Sequence, residues 1–437
     1  MNNIFKAGAS REDITCKIGT CLYGYRPNFK SDSIHDNLSV TALAFSNGVE
    51  TVLMLTCENG DINTDLCNEI RLIIEKETNV PKENVIISAT HTHSAPNLSG
   101  VVGWGEIDSE YLNDIFLPAV ISASKSAIDN LKNAELSVGV TESFVAINRR
   151  QQYQNGEIGL GQNPHGCFDP NMTVISIRNT DTKEGILNLI HYGCHGTSAG
   201  LTTSVTRDWS GIMIDRLEKE TGVLTAFWNG ALGDVGPRLT NGQTTGDISY
   251  TEELGGVAAT DAIKAYKAKG AYHKGELKIF KDDLKLPLQK MPTIEETEKI
   301  LTEFKNPDEL INIDRLKYEH YKETLEYLKC GRSDAPEYFT FNQTIISLGE
   351  VVFIPFPFEM FSEIVMRLRE YSDYLYTLCL SCTNGYTVYL PSEDQLCRGG
   401  YEVGCFMYGN LFPLANNTDQ HIINENLRIM NKDIIAR

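Results

Sequence analysis

Three stretches of the 437-residue sequence follow one grammar: a continuous apolar run, a helix-period segment, then a second apolar run. In the first, 51–56 (TVLMLT) is followed by Asn63-Thr64-Asp65, which can cap a helix. Leu66, Ile70, Ile73 and Ile74 then recur at helical spacing before the run 84–88, NVIIS. The second joins 186–190 (ILNLI) to 224–228 (LTAFW) through a helix around 210–219. The third joins 351–354 (VVFI) to 375–380 (LYTLCL) through a helix carrying Phe361, Ile364, Val365 and Leu368. A strand with no polar face must be covered on both sides, and a strand–helix–strand crossover within one sheet is parallel and right-handed. Repetition of this unit predicts an α/β fold: a mixed, largely parallel β-sheet core with flanking helices.

No internal repeat, low-complexity tract or Pro/Gly/Ser-rich linker divides the chain, so residues 1–437 read as a single domain. Between 292 and 329 the composition turns charged and helix-favouring, with Ile294, Ile300, Leu301 and Leu316 among the apolar positions. This reads as a helical insertion, either a lid over a site or an element packed on the domain edge.

The 58 acidic and 39 basic side chains leave a formal net charge of −19. That is the opposite of the footprint selected by phosphate backbones and anionic lipid, so neither nucleic acid nor stable membrane association is expected. A small-molecule substrate is the expected partner. No run approaches the roughly 18 apolar residues of a membrane span, and MNNIFKAGASREDIT has no apolar leader core. The expected location is therefore the cytoplasm. Eleven irregularly spaced cysteines read as reduced thiols, and the Cys379/Cys382 pair has no second pair at zinc-ribbon spacing. Nothing in the sequence sets the oligomeric state or the presence of a second cation.

Ligands of open α/β sheets bind beyond the carboxyl ends of the strands. The first unit ends in SATHTHSAP, where His91 and His93 share a face if the strand continues. The second runs into His195-Gly196-Thr197-Ser198, and its partner strand ends near Asp234. The third ends at Glu359. Histidine, aspartate and glutamate from four strand ends are the donors of a zinc or iron hydrolase site. A carboxylate at a buried strand end is costly unless a cation or a donor meets it, which singles out Glu359. His35 and His191 read as structural histidines.

The segments SATHTHSAP, INRR, DPNMTVISIR, HGTSAG, GDVGP, PFPFEMFSEIVMRLRE and TNGYTVYLPSEDQLCRGGYEVG, in this order, resemble the catalytic region of the neutral (non-lysosomal) ceramidase family and its smaller bacterial relatives. The resemblance runs from about residue 4 to 430, with 292–329 outside it, and implies a catalytic domain holding one Zn²⁺. It implies His91, His195, Glu359 and Tyr389 as ligands, with His93 and Arg149 lining the pocket and Tyr401 opening the Tyr-Glu-Val-Gly motif. The family carries a serine that takes part in amide cleavage where this chain has Gly236.

Glycine offers no nucleophile, so the expectation is a zinc-dependent hydrolase that attacks an amide, ester or lactone with water. His93 would move the proton, Arg149 with Tyr401 would hold a carboxylate, phosphate or oxyanion, and Asp234 would orient a ligand histidine. Two other readings stand beside it: a ceramidase-like lipid N-acyl amidase that works without the serine, and a non-catalytic zinc-binding relative.

Overall fold

A computed structural model describes residues 4–432 apart from 27, 102–104, 311, 333–335 and 407–412. Its largest sheet has eight strands in the order Thr225–Asn229, Gly185–Tyr192, Asn171–Asn179, Lys132–Glu142, Lys6–Asp13, Ser39–Ser46, Thr51–Cys57 and Val85–Ala89. A second sheet has four: Leu277–Pro287, Tyr338–Leu348, Val351–Pro355 and Tyr376–Leu380. All three expected strand–helix–strand units form, and each pairs its strands in parallel.

The α/β class holds, but the direction of the large sheet does not follow from those units. Only its two outermost pairs are parallel; every pair between them is antiparallel. For two of those antiparallel pairs the reason is connection length. Ser39–Ser46 reaches Thr51–Cys57 through residues 47–50, and Asn171–Asn179 reaches Gly185–Tyr192 through 180–184. Links of that size make hairpins, whereas a parallel crossover needs a dozen or more residues.

The two sheets pack face to face. Leu43, Phe45, Met54, Leu189 and Trp228 of the large sheet share one buried cluster with Ile346, Leu348, Phe353 and Leu380 of the small one. The outer face of the large sheet is covered by Thr64–Thr78 and Leu117–Asp129 on one half. Asp208–Thr221 and Ile248–Ala268 cover the other half. Ser362–Tyr371 and Thr418–Met430 cover the outer face of the small sheet. The result is four layers, and it explains the unbroken apolar runs: strands in both sheets are buried on both sides. Each fully buried Leu or Phe side chain contributes about 1.5–3 kcal/mol, so this interior holds the strand ends in place.

Residues 292–329 form two helices, Ile294–Glu303 and Asn312–Lys329. A capping box starts the first: Glu296 N donates to Thr293 Oγ1 at 3.2 Å and Thr293 N to Glu296 Oε2 at 2.8 Å. Ile300, Phe304, Leu310 and Tyr321 face Gly400, Val403 and Phe406 across a cavity of about 760 Å³. The insertion therefore stands over the segment that carries Tyr401 and Glu402. Among the described residues no helix is long and apolar enough to cross a membrane, and all eleven cysteines are free thiols.

Candidate metal centre

The strand Val85–Ala89 stops before the histidines. Thr90 N donates to Cys57 O and His91 N to Asn59 O, both at 2.9 Å, and His91 adopts a left-handed φ of 65°. The two imidazoles thus meet through a turn at His91, not through the alternation of a continuing strand. A parallel bridge joins Thr92 to Gly196, and His93 N donates to Gly196 O at 3.0 Å. Glycine is required there, since a Cβ on Gly196 would lie 2.6 Å from His91 O. The bridge brings His195 to His91, with ring centroids 4.6 Å apart, and one nitrogen of each of His91, His93 and His195 falls within 4.8 Å of the others.

The far side of each ring sets which nitrogen carries hydrogen. His195 Nδ1 lies 2.7 Å from Leu232 O and 3.0 Å from Val235 O, both acceptors only, so Nδ1 is protonated and Nε2 carries a lone pair. His91 Nδ1 lies 3.1 Å from Asp61 Oδ2, which directs the Nε2 lone pair of His91 the same way. Both lone pairs face Glu359, whose Oε2 is 3.0 Å from His195 Nε2 and 3.6 Å from His91 Nε2. His195 Nε2 and Glu359 Oε2 have no hydrogen-bond partner although both are buried. Acceptors facing acceptors at this range repel, and a cation between them removes the conflict. The imidazole nitrogens of His91, His93 and His195 form a group that could hold a metal ion, with Glu359 beside it.

Burial, with Arg149 and His91 adding to it, holds His195 well below the usual imidazole range, so it is neutral. Burial also lowers His93, helped by His91 and Arg149. For His91, burial is outweighed by Asp61 and Glu359 and the net shift is upward. Burial raises Glu359 against the pull of His91.

Tyr389 arrives by strand register. Phe358–Met360 pairs in parallel with Val388–Leu390, and Glu359 stands directly opposite Tyr389. The Tyr389 hydroxyl accepts from Arg149 Nη2 at 3.1 Å, while Tyr386 donates to Glu359 Oε1 at 3.1 Å. Glu402 clamps two buried guanidiniums: Arg149 Nε donates to Oε1 at 3.0 Å and Arg150 Nη1 to Oε2 at 2.5 Å. The Tyr401 ring lies 6.0 Å from that of Tyr389. His91, His93, His195, Glu359, Tyr389, Arg149 and Tyr401 therefore come together.

Asp234 sits differently from its expected place. Its carboxylate accepts from Ser362 N at 2.9 Å, Ser362 Oγ at 2.8 Å and Asn148 Nδ2 at 3.1 Å. Its loop reaches the site through backbone instead, by the carbonyls of Leu232 and Val235 on His195 and by Asp234 O on Arg149 N at 2.8 Å. The carboxylate that orients a histidine is Asp61, to which Tyr23 also donates its hydroxyl. Asp61 follows the strand Thr51–Cys57, so inspection of every strand end would have found it; Tyr23 and Tyr386 carry no local signal. His191 is structural, its Nε2 bonded to Cys379 O at 2.8 Å.

Residues 5–275 match the family described as neutral/alkaline non-lysosomal ceramidase, N-terminal, which with this fold makes the protein a hydrolase acting on amide bonds. The chain belongs to the neutral/alkaline non-lysosomal ceramidase family. It resembles the crystal structure of neutral ceramidase from Pseudomonas aeruginosa with a TM-score of 0.73 at 17% identity, covering 98% of this chain and 74% of that one. A second structure, a ceramidase complexed with C2, gives a TM-score of 0.70 at 15% identity, covering 98% of this chain and 75% of that one. At these identities the likeness carries the fold. No curated protein matches the sequence significantly.

Proposed function

We propose that the protein is a zinc-dependent hydrolase that uses water to cleave an amide, ester or lactone bond of a small polar substrate. The observation that carries this is the unpartnered pair His195 Nε2 and Glu359 Oε2, 3.0 Å apart. His91, His195 and Glu359 would hold one Zn²⁺ per chain, with Tyr389 beside Glu359 as the fourth group. Bound there, the ion supplies Lewis acidity and acidifies a water to a pKa of about 7.

His93 differs from the other two histidines in one respect. Its Nε2 lies 3.3 Å from His91 Nε2, yet its Nδ1 has no hydrogen-bond partner, whereas metal-holding histidines are almost always anchored through the second nitrogen. Burial, His91 and Arg149 keep this ring neutral and so able to accept, and His93 is placed to take the proton of the attacking water and deliver it to the leaving group. Arg149, held by Glu402 and Tyr389, orients the substrate's carbonyl or an anionic group on it. Arg149 and Arg150, both paired with Glu402, put positive charge beside the proposed centre, which suits a polar or anionic substrate.

A cavity of about 230 Å³ has Tyr389 and Glu402 in its wall, with Leu396, Val403, Phe406 and Leu414 and the polar Gln289 and Asn416 around it, and it shares Gln289, Val403, Phe406 and Pro413 with the larger cavity of about 760 Å³ under the insertion. The mostly apolar lining of the smaller cavity, together with the family match, favours an N-acyl lipid as the second reading, and the insertion at 292–329, whose Ile300, Phe304, Leu310 and Tyr321 wall the larger cavity, is read as its lid. A panel of N-acyl amides, esters and lactones, assayed with and without chelator, tests the reading. Chelator-sensitive turnover of short polar compounds supports it, and turnover that survives complete metal removal sinks it.

A further inference from the structure

Of the tyrosines around the histidine cluster, Tyr23 is engaged with Asp61, Tyr386 with Glu359, and Tyr389 with Arg149. Tyr25 is different. Its ring lies 5.1 Å from that of His93, tilted by 56°, and its hydroxyl is buried without a hydrogen-bond partner among the described residues. A phenol in that position forgoes a bond that water or a protein acceptor would normally supply.

The segment carrying it is shaped to the site. Tyr23 N donates to Ala95 O at 2.9 Å, and Leu22 forms an antiparallel bridge to Pro96, which ties the segment to the residues following His93. Gly24 has a φ of 103°, and a Cβ there would lie 2.3 Å from His93 Nδ1, so only glycine lets the backbone run this close to the imidazole. The next residue is thereby held against the ring that moves the proton.

We infer that the Tyr25 hydroxyl is a substrate-contacting group, a hydrogen-bond donor to the acyl oxygen of the bond being cleaved, on the His93 side of the site. This rests on the proposed hydrolase reading and adds a residue to it. Burial raises the phenol, and the field of Asp208 adds to it against the opposing pull of Arg149, so the group stays protonated and donates. A donor preorganised where negative charge develops favours the transition state over the ground state, and losing one such donor lowers turnover about 100-fold.

The test is Tyr25→Phe in the full-length, zinc-loaded protein, with acetyl-p-nitroanilide and p-nitrophenyl acetate as turnover probes. Acetohydroxamate serves as the acyl-oxygen probe in calorimetric binding. The expected result is unchanged zinc content, a thermal midpoint equal to or above wild type, kcat down about 100-fold, and weaker acetohydroxamate binding. A lowered midpoint would show that the hydroxyl already has a partner within the protein and overturns the inference, as does turnover or binding within twofold of wild type. If the wild-type protein hydrolyses neither probe, the hydrolase reading suffers on its own, while the midpoint and the binding still decide the role of Tyr25.

Discussion

Asp61 Oδ2 lies 3.1 Å from His91 Nδ1, and both side chains are almost wholly buried. A carboxylate in that position fixes the tautomer and the angle of the ring and makes Nε2 a better electron-pair donor. Asp61→Asn keeps an acceptor but loses the charge. Zinc affinity, measured by titration against a chromogenic chelator, is expected to fall about 10–100-fold. An unchanged affinity would mean that Asp61 only fills space.

Glu402 joins Arg149 and Arg150, with the side chains of all three residues at 2–7% exposure. Removing one partner of a buried ionic group leaves charge without compensation, at a cost of about 3–5 kcal/mol. Glu402→Ala should therefore lower stability by that order in urea titration. Glu402→Gln, which keeps the shape and part of the hydrogen bonding, should lose less.

The glycine that replaces the family's serine is itself packed in place. A Cβ at Gly236 would sit 2.7 Å from Thr244 Cβ and 3.0 Å from Thr244 Cγ2, and Thr244 is buried. Gly236→Ser alone is expected to destabilise by about 1–3 kcal/mol through overpacking. Pairing it with Thr244→Gly should recover part of the loss, a coupling that thermal melts of the two single variants and the double variant reveal. Strict additivity would contradict the contact.

Glu58 gives the pH dependence. Burial raises its carboxyl from 4.5 to about 7, against the opposing pull of Arg207, Arg11 and Ser39. The folded state then holds the proton more tightly than the unfolded chain does. The stability it contributes is complete below about pH 4.5 and is lost as the pH rises through about 7. Glu58→Gln should flatten that decline, which is on the order of 2–3 kcal/mol across the interval. Denaturant midpoints of wild type and variant at pH 5 and pH 8 check it.

Much of the site was legible because polar residues at the ends of apolar strands are expensive without a purpose; His91, His195 and Glu359 stood out for that reason. What the sequence could not convey was relation across the fold. Tyr389 faces Glu359 through a parallel register between residues thirty apart in the chain, and Asp61 meets His91 across two loops. Sheet direction is not legible in apolar runs, which report burial on both faces and say nothing of the neighbouring strand's sense. The short links at 47–50 and 180–184 carried that information. Asp234 looked like a histidine partner by position, yet its loop acts through carbonyl groups, which any residue type could supply.

The most direct measurement is metal content. Elemental mass spectrometry on the purified wild-type protein should give close to one zinc per chain, and His195→Ala, folded by circular dichroism, should give almost none. Wild-type protein that stays metal-free after incubation with zinc, or a His195→Ala variant that binds zinc as tightly as wild type, would contradict a metal centre built on His91, His195 and Glu359.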